Sequence, residues 1–432
     1  MTVNRLGLLG VLALTAVACG DGESAAVPDS VSVVPVAAAV AIPVAARLVP
    51  TADANLAGQA ISAFATDLFT SARAMSKPGD NVAVSPASVA VALAMLEPGT
   101  VGDAQTQLRK LLHIGDPVSF HASMNALEQN LESRVSTAFN TGDDPGEITM
   151  RIANAAYLHK NYPFRPAYLE AVGSNYGPVL YEVDFDADPD AVAHQINAFV
   201  ADATNNRIPQ LIDDGVIRHD TVLALVNALY LKASWLGPFD ETATKDQSFT
   251  GLDGAKHTVP MMNGGSDSSA AGDGWIGATK TYVGGLSAQF ILPDEGRFDE
   301  IANDLDRVVA EYTANQTSPS TLGLPRFDLR FGVELTPTLQ ALGLTAPYQP
   351  GGLLDIADDP RLILDKVIHQ TDVAMNEQGT EAAAATVAFG YPTSAPPNPP
   401  VPVVLDRPFL YRIIDNDTGT TLFIGQVLDP TS

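Results

Sequence analysis

Few residues in this 432-residue chain stand where their types and spacing could do chemistry. The seven histidines (113, 121, 159, 194, 219, 257 and 369) are scattered, none at the spacing of a metal-ligand set. No G-x-S-x-G turn, H-E-x-x-H helix, Walker loop or G-x-G-x-x-G occurs. An activated serine, a zinc-bound water and a nucleotide cradle therefore all lack support. His369, in "DKVIHQTDV", lies in an apolar strand-like run, where a histidine is expected to be a hydrogen-bonded core residue and not a base. What remains is a chemically bare stretch near the C-terminus and one cysteine, Cys19.

The stretch is "NEQGTEAAAATVAFGYPTSAPPNPPVP", residues 376–402. Alanine favours helix over 381–386, yet Val387, Phe389 and Tyr391 favour strand, and the prolines that follow are foreign to any sheet interior. In a strand, alternate side chains share a face. Thr380, Ala382, Ala384, Thr386 and Ala388 would share one, and every one is small. Such a face can slide onto a packed core without overfilling it. Gly379 is expected to give the segment a hinge, with Glu377, Gln378 and Glu381 solvated.

The elements that must position this stretch belong to a globular chain, with 46% hydrophobic and 17% charged residues. Against 24 Lys+Arg stand 50 Asp+Glu, a net charge of −26, which argues against nucleic acid and against sulfated-sugar partners. Arg5 with the amino terminus makes a weakly positive start, and the apolar run 6–15 is too short to span a bilayer. "AVAC" (16–19) then admits two readings. Ala16 and Ala18 form an A-x-A cleavage site, or Cys19 is the lipidated first residue of a mature lipoprotein. Both imply export to the medium or the cell envelope, and only the second gives a membrane anchor. Residues 20–54, rich in Ala, Val, Pro and Ser, read as a flexible tether.

From residue 55 on, periodic segments alternate without an internal repeat or a linker, giving one mixed α+β domain over 55–432. "NLAGQAISAFATDLFTSARAM" carries Leu56, Ile61, Phe64, Leu68 and Phe69 at helical spacing. "NVAVSPASVAVALAMLEPG" reads as a strand, then a helix capped by Ser85 with Pro86 in its first turn. "MRIANAAYLH", "TVLALVNALYL", "SAQFILP" and "DVAMNE" read as strands. "ADPDAVAHQINAFVADAT" and "FDEIANDLDRVVAEY" each read as a helix.

Several of these segments carry a resemblance. "EQGTEAAAAT" (377–386) resembles the hinge of the reactive-centre loop of serpins, the serine-protease-inhibitor superfamily. In the same chain order, "NVAVSPASVAVALAML" (81–96), "VNALYLKASWLGPF" (226–239), "LPRFDLRFGVELTPTLQALGLT" (324–345), "VVLDRPFLYRI" (403–413) and "LFIGQVLDP" (422–430) are similar to serpin motifs. The resemblance implies a mixed central sheet A, two further sheets, about eight or nine helices and an exposed reactive-centre loop at about 377–402. It implies a suicide substrate and not an enzyme. A serine protease cleaves the loop and becomes acyl-linked to it, and the loop inserts as a new strand in sheet A. No metal or cofactor is implied.

Residue by residue, the resemblance makes Glu377, Gln378, Gly379, Thr380, Glu381, Ala382, Ala383, Ala384, Ala385 and Thr386 the hinge. A seventeen-residue count from Glu377 puts the scissile bond at Thr393-Ser394. A small β-branched Thr393 suits the shallow pocket of an elastase-like or subtilisin-like enzyme, and no Arg or Lys lies between Met375 and Leu405 to bait a trypsin-like one. Ser85, Ser88, Asn227 and His369 match the family's shutter, a polar network under the central strands, and Trp235 its breach, where the hinge enters. The resemblance implies a monomer whose partner is the trapped protease. A non-inhibitory serpin acting as a carrier, chaperone or binding protein is the alternative. Such members commonly carry bulky or charged residues or proline in the hinge, whereas the face expected to insert here, Thr380, Ala382, Ala384, Thr386 and Ala388, has none.

Overall fold

The apolar spacing over 55–75 folds as the helix α1 (Asn55–Met75), and it buries Ile61, Phe64, Leu68 and Phe69. Leu56, counted with that face, is exposed, because it lies in the first turn beyond the helix's packed stripe. The computed structural model describes residues 40–42, 45–134, 147–162, 164–380 and 401–431. Ahead of α1 lies a short strand, β1 (Val40–Ile42). After it come β2 (Val82–Val84), α2 (Pro86–Leu96), α3 (Gly102–Leu111) and α4 (Pro117–Ser133). The Ser85 hydroxyl oxygen accepts from the Ser88 amide, capping α2 as its sequence predicts.

The chain continues through β3 (Ile148–His159), α5 (Pro166–Tyr176), β4 (Val179–Val183), α6 (Pro189–Ala203) and β5 (Leu223–Ser234). Next are β6 (Lys245–Thr250), β7 (Lys256–Gly265), β8 (Ser268–Gly272), β9 (Trp275–Thr281) and β10 (Leu286–Pro293). The expected single helix over 298–312 is two, α7 (Phe298–Asn303) and α8 (Leu305–Ala314). Asp304 separates them with φ −123° and ψ 41°, outside the helical basin. The remaining elements are β11 (Thr321–Pro325), β12 (Phe327–Glu334), α9 (Thr336–Ala341), β13 (Ile368–Met375), β14 (Gly379–Thr380), β15 (Val403–Val404), β16 (Phe409–Asp415) and β17 (Thr421–Val427).

Among the described residues these strands form three sheets. Sheet A has seven strands in the order β1-β4-β3-β5-β14-β13-β12; sheet B has six, β2-β17-β16-β10-β9-β8; the third has four, β15-β11-β7-β6. With nine α-helices among the described residues, the molecule is the mixed α+β architecture expected. The segment expected as a flexible tether is held to the domain from Val40 on. There β1 pairs antiparallel with β4, and the Leu48 amide bonds Ser174 O at 2.9 Å.

Period-2 alternation divides sheet A between two cores. Ile148, Met150, Leu231, Ala233, Val373 and Met375 point inward, toward α1, α2 and sheet B. Tyr157 and Val226 point outward, where Val192, Ile196 and Val200 of α6 cover them. No ladder joins β5 to β13 directly among the described residues. The two-residue β14 alone bridges them, pairing antiparallel with both.

Candidate functional site

The top of that seam is a tight turn. Asn376 Oδ1 accepts from the Gln378 and Gly379 amides at 2.9 and 3.1 Å, and the Asn376 amide donates to Gly379 O at 3.0 Å. Gly379 has φ +149°, and a Cβ there would stand 2.0 Å from Ala233 O, so the close approach of the turn to β5 requires glycine. The Trp235 amide donates to Gln378 O and the Phe239 amide to Glu377 O, at 2.8 and 2.9 Å.

Glu377, expected to be solvated, is 3% exposed. Arg326 grips its carboxylate with Nη2 on Oε1 at 2.6 Å and Nε on Oε2 at 3.2 Å, and the Thr244 hydroxyl donates at 2.7 Å. Burial pushes this carboxyl up, but the Arg326 fork and Thr244 more than offset it and hold the group below its ordinary range. Gln378 is half-buried.

Trp235 is buried beside the turn, stacked on Tyr282 with ring centroids 4.0 Å apart, and its indole N–H donates to Asn376 O at 2.9 Å. The Tyr282 and Thr380 hydroxyls lie 2.7 Å apart, which places Thr380 on the inward face of sheet A. Lys280 sits 4.3 Å from the Phe239 ring centroid, and burial draws its ammonium down to about 8.

Lower in the seam, four predicted residues meet. The Ser85 amide donates to His369 Nε2 at 3.0 Å, the Ser88 amide to Ser85 Oγ at 3.2 Å, and the Ser88 hydroxyl to Asn227 Oδ1. Burial holds the His369 imidazole down at about 4, so it is neutral and Nε2 is free to accept. The chain runs on through residues that sequence reasoning missed. Asn227 donates to Asn154 Oδ1, Asn154 donates to Glu128 Oε2 at 3.2 Å, and Arg47 Nη2 reaches the same oxygen at 2.7 Å. Burial pushes the Glu128 carboxyl up to about 8, against the pull of Arg47. Asn154 had a signal, a lone amide in the apolar run "MRIANAAYLH". Tyr282, Arg326 and Arg47 had none, because each meets its partner only across a long stretch of chain.

A narrow cavity of about 80 Å³ lies in this seam, lined by Asn227 and His369 with Leu225, Val226, Val367 and Ile368. No serine, threonine or cysteine side chain among the described residues bonds a histidine, so the seam holds no nucleophile–base pair. Among the described residues no His/Cys/Asp/Glu group is arranged for a metal. Glu381, Ala382, Ala383, Ala384, Ala385, Thr386, Thr393, Ser394 and Cys19 lie outside the described residues.

Two residues thus bridge the seam and a polar network floors it, and relatives of known kind share the chain's course. The sequence profile of the family described as serpin (serine protease inhibitor) matches residues 59–430. Alpha-1-antiproteinase of Rattus norvegicus is 31% identical over 362 residues, covering 81% of this chain and 84% of the relative. Serpin-Z2A of Triticum aestivum is 30% identical over 366 residues, covering 81% and 90%. An Arabidopsis serpin solved in its native stressed conformation superposes with a TM-score of 0.75 at 26% identity, over 88% of this chain and 99% of that one. The chain belongs to the serpin family, whose members are mostly protease inhibitors and not enzymes.

Proposed function

We propose that the protein inhibits serine endopeptidases of elastase-like or subtilisin-like specificity by offering Thr393-Ser394 as bait. The protease serine attacks the Thr393 carbonyl, the Ser394 amine leaves, and an ester joins Thr393 to the enzyme. The freed loop then completes the strand that β14 begins. The register of β14 is the observation that carries this reading. Gly379 pairs with Ser234, Thr380 with Ala233 on one side, and Thr380 with Met375 on the other. Carried forward one residue at a time, both ladders bring Thr386 opposite Asn227 and His369 together. Thr380 already faces inward, so Ala382, Ala384, Thr386 and Ala388 would follow it onto the core, all small. The slot ends where Leu223, the first residue of β5, would meet Gly390, so Pro392 and the prolines after it never insert.

Replacing Thr380 would disturb a residue already placed in the sheet, so the test belongs further along. Thr386→Arg would bury a charge on the inserting face. It is expected to turn an inhibitor of subtilisin into a substrate cut at Thr393-Ser394, raising the stoichiometry of inhibition at least tenfold. An unchanged stoichiometry would sink insertion as described. In the non-inhibitory alternative, both forms are simply cut. The same reading makes the stretch ahead of Cys19 a leader and the inhibitor an exported monomer, with Cys19 its lipid anchor in the lipoprotein form. The mass of the mature N-terminus decides between that and plain cleavage.

A further inference from the structure

The polar row under the seam has an outer end, and that end lies on the N-terminal segment. Arg47 enters between α4 and α5, with Nε donating to Asn125 Oδ1 at 2.8 Å and Nη2 to Glu128 Oε2 at 2.7 Å. Its stem fits because residue 177, at the end of α5, is glycine; a Cβ there would stand 3.0 Å from Arg47 Cδ. Main-chain groups hold the segment on both sides. The Leu48 amide donates to Ser174 O of α5, and Leu48 O accepts from Asn125 and Gln129 of α4 at 3.0 and 2.9 Å. Asp53 O accepts from the Ser123 hydroxyl at 2.6 Å. Residues 45–53 therefore form a strap across α4 and α5.

Glu128 is buried, and Arg47 is the one cation that pairs with it among the described residues. Its Oε1 has no partner, so Oε2 alone takes the Arg47 and Asn154 donors. An oxygen engaged in this way sets the polarity of everything inward. Asn154 must turn its Nδ2 to Glu128 and its Oδ1 to Asn227, which stands directly opposite on β5. Asn227 must then turn its Oδ1 to Ser88, and Ser85 beside it meets His369 of β13. The row thus starts on one side of the seam and ends on the other, passing beneath it at the start of α2. Without Arg47, Glu128 would be a buried acid with no countercharge, and Asn154 would lose what holds it to one orientation. We propose that Arg47 is a positioning residue for the seam: the strap fixes the acceptor end of the row, and through Asn154 and Asn227 it restrains β5 and β13 from parting. The proposal deepens the inhibitory reading, in which the seam must part, and its test uses no protease, so the two can fail separately.

The test is hydrogen exchange of the intact protein at neutral pH, read by mass spectrometry on peptides of β5 and β13, with β16 and β17 of sheet B as the reference. Arg47→Met should speed exchange in β5 and β13 about tenfold, the loss of one hydrogen bond to a charged group, and leave β16 and β17 as they are. Arg47→Lys, which keeps a cation for Glu128, should keep most of the protection. Glu128→Gln preserves the shape and removes the charge, so it should speed the same strands, and adding Arg47→Met to it should speed them no further. Unchanged exchange in Arg47→Met, equal acceleration in sheet B, exchange in Arg47→Lys as fast as in Arg47→Met, or additive effects in the double variant would overturn the assignment.

Discussion

With its Nε2 accepting from the Ser85 amide and its ring buried, His369 stays neutral down to about pH 4, whereas a histidine in the unfolded chain titrates near 6.5. Between those values the unfolded chain binds the extra proton, so native stability falls as pH drops from 6.5 toward 4. By pH 5 the loss from this one group is about 2 kcal/mol. Urea midpoints across that range should show it, and His369→Gln should flatten that part of the slope. An identical slope in the variant would place the pH dependence elsewhere. Glu377 adds in the same sense, since its lowered pKa makes its ion pair with Arg326 a contribution that acid removes. The residue type of Glu377 was legible, but its burial was not. A carboxylate beside a glycine reads as solvated until Arg326, 51 positions earlier, is known to reach it.

The seam in sheet A opens only if what straddles it lets go. The connection leaving α6 packs with that helix over β3 and β5, yet its Arg207 reaches across to Asp372 of β13, and to Asp328 of β12 at 3.1 Å. A new strand would move these halves apart by about 4.8 Å, which the ion pairs cannot follow. Arg207→Ala should therefore lower the barrier to insertion by about 1 kcal/mol, a partly exposed ion-pair value. Spontaneous loss of inhibitory activity on gentle warming should then run about fivefold faster. A rate equal to wild type would mean that the latch bears no load. At this scale the sequence was clearest where periodicity is long, as over the 21 residues of α1. It failed where an element is short or broken. Two residues of β14 carry no period, and Asp304 splits α7 from α8 although the apolar spacing runs on through it.

Across the whole molecule, the proposed inhibitor would store a strand that only cleavage lets it use. Two residues of that strand are paired, the seam beyond them is floored by Ser88, Asn227 and His369, and the residues that would face the core, Ala382, Ala384, Thr386 and Ala388, are all small. On that reading a native state short of one strand would be held by a kinetic barrier, so cleavage near Thr393 should raise the melting temperature by tens of degrees. An unchanged melting temperature would show that nothing inserts. The net charge of −26 should make capture of a basic protease faster at low salt than at high, by up to about tenfold. The most direct measurement is to mix the protein with subtilisin and with an elastase, boil in SDS, and weigh the products. The account predicts a covalent complex carrying the chain up to Thr393, with a released peptide that begins at Ser394. Free protease beside a cleanly cut chain, with no complex at any ratio, would contradict it.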